Sequence, residues 1–153
     1  MNEPFRRYNG GVQTLLSGHG AYRLEYHIVW VCKYRRKVLK PALEETLRQL
    51  LPHLLRSMPG CRLQTIGFDQ DHLHMLVVIP PKYAIAHVMA RLKSQSSAHL
   101  RTKFSFLKKV YWKENIVWSP GYFVSSVGVD EAIIKKYVEY QGERDSGQLE
   151  LPF

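Results

Sequence analysis

The chain has 153 residues, 45% of them hydrophobic, and 22 lysines and arginines against 13 aspartates and glutamates, which gives a formal net charge of +9. This length predicts one folded domain, and the lack of any long apolar run or apolar leader disfavours a membrane-embedded or secreted protein. The two cysteines, Cys32 and Cys61, are far apart in sequence, which disfavours a disulfide framework or a structural zinc site. We therefore expect a soluble, cytoplasmic protein whose positive charge favours nucleic acid as the partner over an anionic membrane.

The N-terminal third predicts an arm, a strand and a helix. Residues 1–20 are glycine-rich and polar without a sustained period, so we expect a flexible arm. Residues 21–33 alternate and then become apolar on both faces, which is typical of a central strand. From Pro41 the leucines recur with the helical period, and Pro52 is expected to kink that helix.

The middle of the chain predicts a hairpin and a second helix. Residues 61–68 read as a strand, and the polar residues 69–71 form a short turn into a strand that starts at His72. Two strands so close in sequence are expected to pair antiparallel. After two prolines, residues 85–101 have the pattern of an amphipathic helix.

The last part predicts a strand and a final helix after a less regular basic and aromatic stretch. Strand signals occur at residues 116–118 and 122–127. Asp130 suits a helix N-cap, residues 131–141 the helix itself, and Gly142 its end.

The order of elements is strand, helix, strand, strand, helix, strand, followed by an extra helix. This order predicts an α+β, ferredoxin-like antiparallel sheet with two helices on one face and an open second face. The domain is expected to span residues 21–142, with a flexible tail over residues 143–153.

The most informative stretch is Asp71-His72-Leu73-His74, at the start of an apolar run. Side chains alternate along a strand, so His72 and His74 share one face and should point to the open side of the sheet. Two imidazoles side by side can hold a metal ion, although paired strand histidines also occur as hydrogen-bonded surface residues.

On the last helix, Tyr137 and Gln141 are four residues apart and project from the same side. A tyrosine at helical spacing usually serves packing and only rarely acts as a nucleophile. Tyr140, in the same helix, is the competing candidate nucleophile.

Together these motifs resemble the HUH-type single-tyrosine transposases of insertion sequences that move as single-stranded DNA, and also the related REP-associated tyrosine transposases. The likeness runs from about residue 22 to residue 141 and rests on these segments in order: Tyr26-His27-Ile28-Val29-Trp30, Lys33-Tyr34-Arg35-Arg36, Asp71-His72-Leu73-His74, Pro80-Pro81-Lys82, Leu92-Lys93-Ser94, Ser96-Ser97, Trp118-Ser119-Pro120-Gly121-Tyr122-Phe123, and Tyr137 with Gln141.

The resemblance implies that His72, His74 and Gln141 bind a divalent ion, Mg²⁺ or Mn²⁺, and that Tyr137 is the nucleophile. It implies cleavage of single-stranded DNA at hairpin ends through a 5′-phosphotyrosine, followed by strand transfer. It further implies a homodimer in which the tyrosine helix completes the partner's active site. A prokaryotic, nucleoid-associated protein is expected.

Seven basic residues are candidates for the phosphates of the hairpin: Arg35, Arg36, Lys37, Arg91, Lys93, Lys108 and Lys109.

The tail ends in Gln148-Leu149-Glu150-Leu151-Pro152-Phe153. Gln148, Leu149, Leu151 and Phe153 resemble the peptide by which bacterial replication proteins dock on the sliding clamp. The alternative is a tail that folds back or stays disordered.

Three other functions remain open from the sequence. A host-retained relative would cleave repeated hairpins without moving an element. A non-catalytic ferredoxin-like module would only bind nucleic acid, although the aromatic strand signature of RNA-recognition domains is missing. A metal-dependent phosphoesterase would turn over without a protein adduct.

Overall fold

The computed structural model describes residues 5–7, 13–17, 20–22, 24–126, 128 and 130–147, with side chains described from Leu24 onward. The predicted clamp motif therefore lies outside the described residues.

Three short N-terminal strands, β1 (Phe5–Arg7), β2 (Gln13–Ser17) and β3 (Gly20–Tyr22), pair antiparallel in that order. The expectation of a loose arm over residues 1–20 did not include them. Strands of three to five residues are too short to show a hydrophobic period, yet their backbones can still pair.

The main sheet contains four antiparallel strands. They are β4 (Glu25–Val31), β5 (Arg62–Phe68), β6 (His72–Val78) and β7 (Phe123–Ser125), in the spatial order β5-β6-β4-β7. The first and third strands of this unit lie at the centre, which is the ferredoxin-like order, so the predicted α+β class is confirmed. The strand signal at residues 116–118 was wrong, because only an isolated bridge between Cys32 and Trp118 forms there.

Four α-helices accompany the sheet in the described part of the chain. They are α1 (Pro41–Leu55), α2 (Ile85–Lys103), α3 (Phe106–Val110) and α4 (Glu131–Asp145). Helix α1 starts at its proline as predicted and continues through Pro52. The five-residue α3 was not predicted, since one and a half turns give no readable period.

The main core lies on one face of the sheet, which packs against the first two helices. Ile28 and Trp30 of β4 and Leu73, Met75 and Val77 of β6 all point into it and are at most 2% exposed. These odd-numbered β6 residues are the face that the sequence assigned to the helices.

Helix α4 packs on the opposite face, which the sequence left open. Val29 and Val31 of β4 form a small buried cluster with Tyr137 and Val138 of α4. Part of the predicted open face is thus covered by the chain's own last helix.

Helix α4 begins as predicted, since the Asp130 side chain accepts a hydrogen bond from the Ile133 amide at 2.9 Å. The prediction that Gly142 ends it was wrong, because the helix continues to Asp145. The Arg35 side chain occupies the space that a Cβ at residue 142 would need, so glycine here serves close packing inside a helix.

Candidate functional site

The two histidines of the motif lie on neighbouring positions of one face of β6. His72 pairs with Val31 and His74 with Val29 of β4, so both imidazoles stand beside the cluster that holds α4. The His74 ring lies over Gly67 of β5, where any larger residue would collide with it.

A cleft of about 570 Å³ lies between this end of the sheet and α4. Its floor includes His72 and His74, and α4 contributes Glu131, Lys135 and Glu139 to its wall. The cleft is therefore a mixed-charge site with two imidazoles at its base.

Asp71 and Arg35 fix one of the imidazoles. Oδ1 of Asp71 lies 2.8 Å from Nδ1 of His72, and Arg35 Nε donates to Oδ2 of Asp71 at 3.2 Å. Burial by itself would raise the pKa of Asp71, but the contacts with His72 and Arg35 outweigh it and lower that pKa. The carboxylate can only accept, so Nδ1–H of His72 donates this hydrogen bond, which leaves Nε2 of the neutral ring with the available lone pair.

His74 is biased toward its neutral form. Burial lowers its pKa, and the proximity of His72 and His27 acts in the same direction, while Glu131 opposes it. A neutral imidazole is the form that binds metal ions.

Tyr137 and Gln141 lie together, as their helical spacing predicts, but away from the cleft. The Tyr137 hydroxyl is 3.5 Å from Gln141 Oε1, and the two residues are only 6% and 2% exposed. The Tyr137 ring packs against Phe123 of β7 and Tyr140, at centroid distances of 5.6 and 6.5 Å. Neither Tyr137 nor Gln141 lines the cleft that holds the histidines.

Asp145 anchors the end of the tyrosine helix. Its carboxylate accepts from Gln141 Nε2 and Lys33 Nζ, both at 3.3 Å, and from the Tyr34 amide at 2.9 Å. The Ser119 hydroxyl also donates to it. The Asp145 side chain is 2% exposed. This buried carboxylate therefore holds the end of α4 against Lys33, Tyr34 and Ser119 of the same chain.

Sequence reasoning missed the parts played by Asp71, Arg35 and Asp145. Asp71 was noted only as a motif residue, although a carboxylate beside a possible ligand histidine is a recognisable signal. Asp145 was assigned to the tail, and no local pattern marks it, because its partners lie 26 to 112 residues away apart from Gln141.

The predicted DNA contacts fall into two groups. Residues 35–37 are exposed, and Arg35 and Lys37 line the cleft, while Lys108 and Lys109 are exposed on α3. Arg91 and Lys93, on α2, are half-buried.

Lys93 binds backbone carbonyls of the loop that precedes β7. Its ammonium donates to the carbonyl of Ser119 at 2.7 Å and to that of Gly121. Burial lowers its pKa to about 8, and the charge of Asp145 acts against this.

Within the described part of the chain, no group of three or more histidine, cysteine, aspartate or glutamate side chains is arranged to hold a metal ion. None of the described helices is long and apolar enough to cross a membrane.

Comparisons with known proteins identify the class. The model of the family described as "Transposase IS200 like" matches residues 20–141. The transposase for insertion sequence element IS200 of Salmonella typhimurium is 34% identical over 137 residues, covering 88% of this chain and 89% of that protein. The ISDra2 transposase TnpA of Deinococcus radiodurans is 31% identical over 125 residues, covering 81% of this chain and 88% of that protein.

A solved structure agrees. The crystal structure of a putative transposase from Deinococcus radiodurans R1 superposes with a TM-score of 0.72 at 29% identity, covering 82% of this chain and 96% of that one. Fold and sequence together define a DNA transposase, a class of enzymes that cleave DNA. More particularly, the chain belongs to the IS200-like transposase family, which confirms the predicted resemblance.

Proposed function

We propose that this transposase is a metal-dependent single-strand DNA endonuclease and strand transferase that acts at the hairpin ends of an insertion sequence. The observation that carries the proposal is the pair of imidazoles, His72 and His74, at the base of a cleft walled by the helix that bears Tyr137 and Gln141.

The histidine pair suits a divalent metal. Nε2 of His72 is left available because Nδ1 donates its hydrogen bond to Asp71, and His74 is biased toward its neutral, metal-binding form. His72 and His74 would hold Mg²⁺ or Mn²⁺, with Gln141 as the third protein ligand once it reaches them. Such an ion would polarise the phosphate and offset its developing charge.

Tyr137 supplies the nucleophile in this proposal. Its Oη attacks the phosphorus of a phosphodiester, the Oη–P bond forms, and the bond from phosphorus to the 3′ oxygen breaks. The phenol loses its proton and the leaving 3′ oxygen gains one. The products are a 5′-phosphotyrosine and a 3′-hydroxyl, and attack of another 3′-hydroxyl on the phosphotyrosine rejoins strands and releases Tyr137 without ATP.

The proposal requires movement of α4. Tyr137 is packed against Phe123 and does not line the cleft, so the helix must reorient before Tyr137 and the histidines can act on one phosphate. A homodimer answers this need if the helix of each subunit crosses to the partner's histidines. One tyrosine per chain can hold only one 5′ DNA end. Excision followed by closure involves two 5′ ends, so two copies of the chain are needed.

The C-terminal tail carries a separate proposal. Residues 148–153 would dock on a replication sliding clamp, which would bring the protein to single-stranded DNA at forks. Deleting these six residues should abolish clamp binding measured by surface plasmon resonance; unchanged binding would reject the idea.

The experiment that tests the catalytic proposal is adduct formation. The protein is incubated with single-stranded hairpin DNA and Mn²⁺, and a covalent complex is sought on a denaturing gel. We expect an adduct that requires the metal and the two histidines, is lost in Tyr137→Phe, and persists in the matched variant Tyr140→Phe. An adduct that persists in Tyr137→Phe would overturn the assignment.

A further inference from the structure

A second groove lies outside the histidine cleft. It has a volume of about 260 Å³ and lies between the 3-10 turn Lys33–Arg35 and the segment that follows α3. We call it the aromatic groove and define it by Tyr34, Arg36, Trp112, Lys113 and Glu114, which all line it.

Trp112 is exposed in a way that core packing does not explain. Its exposed fraction is 73%, whereas the other two tryptophans, Trp30 and Trp118, are 0% and 5% exposed. Trp30 and Trp118 pack edge to face in the core at 5.6 Å. A solvent-exposed indole offers a large apolar face on which another flat ring can stack.

The segment that carries Trp112 is held in place by hydrogen bonds from Arg101 of α2. The buried Arg101 of α2 donates to Asn115 Oδ1 at 2.8 Å and to the carbonyls of Ile116 at 3.1 Å and Tyr111 at 3.4 Å. These bonds fix the backbone on both sides of Trp112. The indole is thus presented by an ordered support, which is the arrangement that a binding residue needs.

Tyr34, across the groove, is held in an unfavourable backbone conformation. Its φ of 58° lies in the left-handed region, which is costly for an aromatic residue. Three contacts hold it: its amide donates to Asp145, its hydroxyl donates to Glu114 at 3.1 Å, and Tyr111 donates to the carbonyl of Lys33 at 2.9 Å. Its side chain remains 44% exposed beside the groove.

The charges around these rings are those of a phosphate-binding surface. The Lys113 ammonium lies 5.0 Å from the Trp112 ring centroid, and Arg36 lines the same groove. The exposed Lys108 and Lys109 lie on the neighbouring α3. Glu114 is the acidic residue among those lining the groove, and it accepts a hydrogen bond from Tyr34.

We propose that the aromatic groove binds an unpaired base of the DNA strand, stacked on Trp112, with the adjoining phosphates beside Lys113 and Arg36. Stacking on an aromatic side chain together with flanking cations is the general way in which proteins hold single strands. The inference rests on the proposed single-strand substrate and adds a second contact, outside the cleft where that strand is cut.

The test compares two labelled probes by fluorescence anisotropy: an oligothymidylate and an abasic oligonucleotide of equal length. Trp112→Ala should weaken oligothymidylate binding roughly 5- to 150-fold, the range for loss of one base–aromatic stack, and should leave abasic binding unchanged. Trp112→Phe keeps a ring and should retain most of the affinity. Val124→Ala, which truncates another exposed apolar side chain, should have no effect.

Tryptophan emission gives a second readout. Oligothymidylate should quench the wild-type emission, because Trp112 is the exposed tryptophan of the three, and Trp112→Phe should abolish this quenching while still binding. Equal oligothymidylate affinity in wild type and Trp112→Ala, or an equal loss on the abasic probe, would overturn the base site and leave the proposed function intact. Wild-type protein that binds neither probe would overturn both.

Discussion

The Tyr137 hydroxyl lies 3.5 Å from Gln141 Oε1, and both side chains are buried on the side of α4 that faces β4 and β7. Burial raises the pKa of Tyr137, and the nearby Asp145 and Tyr140 act in the same direction while Arg144 opposes them. The phenol is therefore protonated at neutral pH and weakly nucleophilic. If Tyr137 is the nucleophile, this arrangement is a resting one.

Asp145 should stabilise that resting arrangement. We expect Asp145→Ala to lower the free energy of unfolding by about 3 kcal/mol, because it leaves the buried amide of Gln141 and the Lys33 ammonium without their acceptor. Urea denaturation measures the loss, and hydrogen exchange should be faster in α4. Glu143→Ala removes an exposed carboxylate from the same helix and is the control. Equal stability of the two variants would contradict the anchoring role.

Gly67 should be required for the position of His74. A methyl group at residue 67 would overlap the His74 ring, so Gly67→Ala should displace the imidazole, shift its NMR signals and weaken Mn²⁺ binding. Gly128→Ala is the matched control, since nothing lies within 4 Å of a Cβ there. Unmoved His74 signals in Gly67→Ala would show that the ring does not depend on this space.

Asp71 should orient His72 for metal binding. Asp71→Asn keeps the shape of the side chain but not its charge, and we expect it to weaken Mn²⁺ affinity about 10- to 100-fold by titration calorimetry. Asp69→Asn removes the same charge from the same cleft, but the Asp69 carboxylate accepts from the Gln70 amide, so this variant should cost much less. Equal losses would mean that only the net charge of the cleft matters.

Asp71 also predicts how stability depends on pH. Its pKa is lower in the folded protein than in the unfolded chain, so its stabilising contribution is complete above the unfolded value of about 4. That contribution is lost as the pH falls through the folded value. The difference in unfolding free energy between wild type and Asp71→Asn should therefore be larger near neutral pH than in acid. A difference that does not change with pH would argue against an ionised Asp71 in the fold.

Local patterns predicted the sheet and the helices well where an element has a clear period. The alternation after His72 gave the correct face for both imidazoles, and Asp130 gave the correct start of α4. Gly142 suggested a helix end, but it is needed because the Arg35 side chain packs against it. Arg35 lies more than 100 positions away in sequence, so no local pattern reveals this contact.

The position of the tyrosine could not be predicted in the same way. Helical spacing says that Tyr137 and Gln141 share a side of α4, and they do. It does not say where on the sheet that side packs, since Ile134 and Val138 belong to the same apolar cluster as Tyr137. The packing of Tyr137 on Phe123 and the anchoring by Asp145 decide this, and both are tertiary contacts.

The most direct test is to identify the residue bonded to DNA. Trypsin should cut the adduct after Lys136 and after Arg144, giving a peptide that holds both Tyr137 and Tyr140. We predict that tandem mass spectrometry finds the 5′-phosphate of the cleaved strand on Tyr137. A nucleotide on Tyr140, or a 3′-phosphate linkage, would contradict the account.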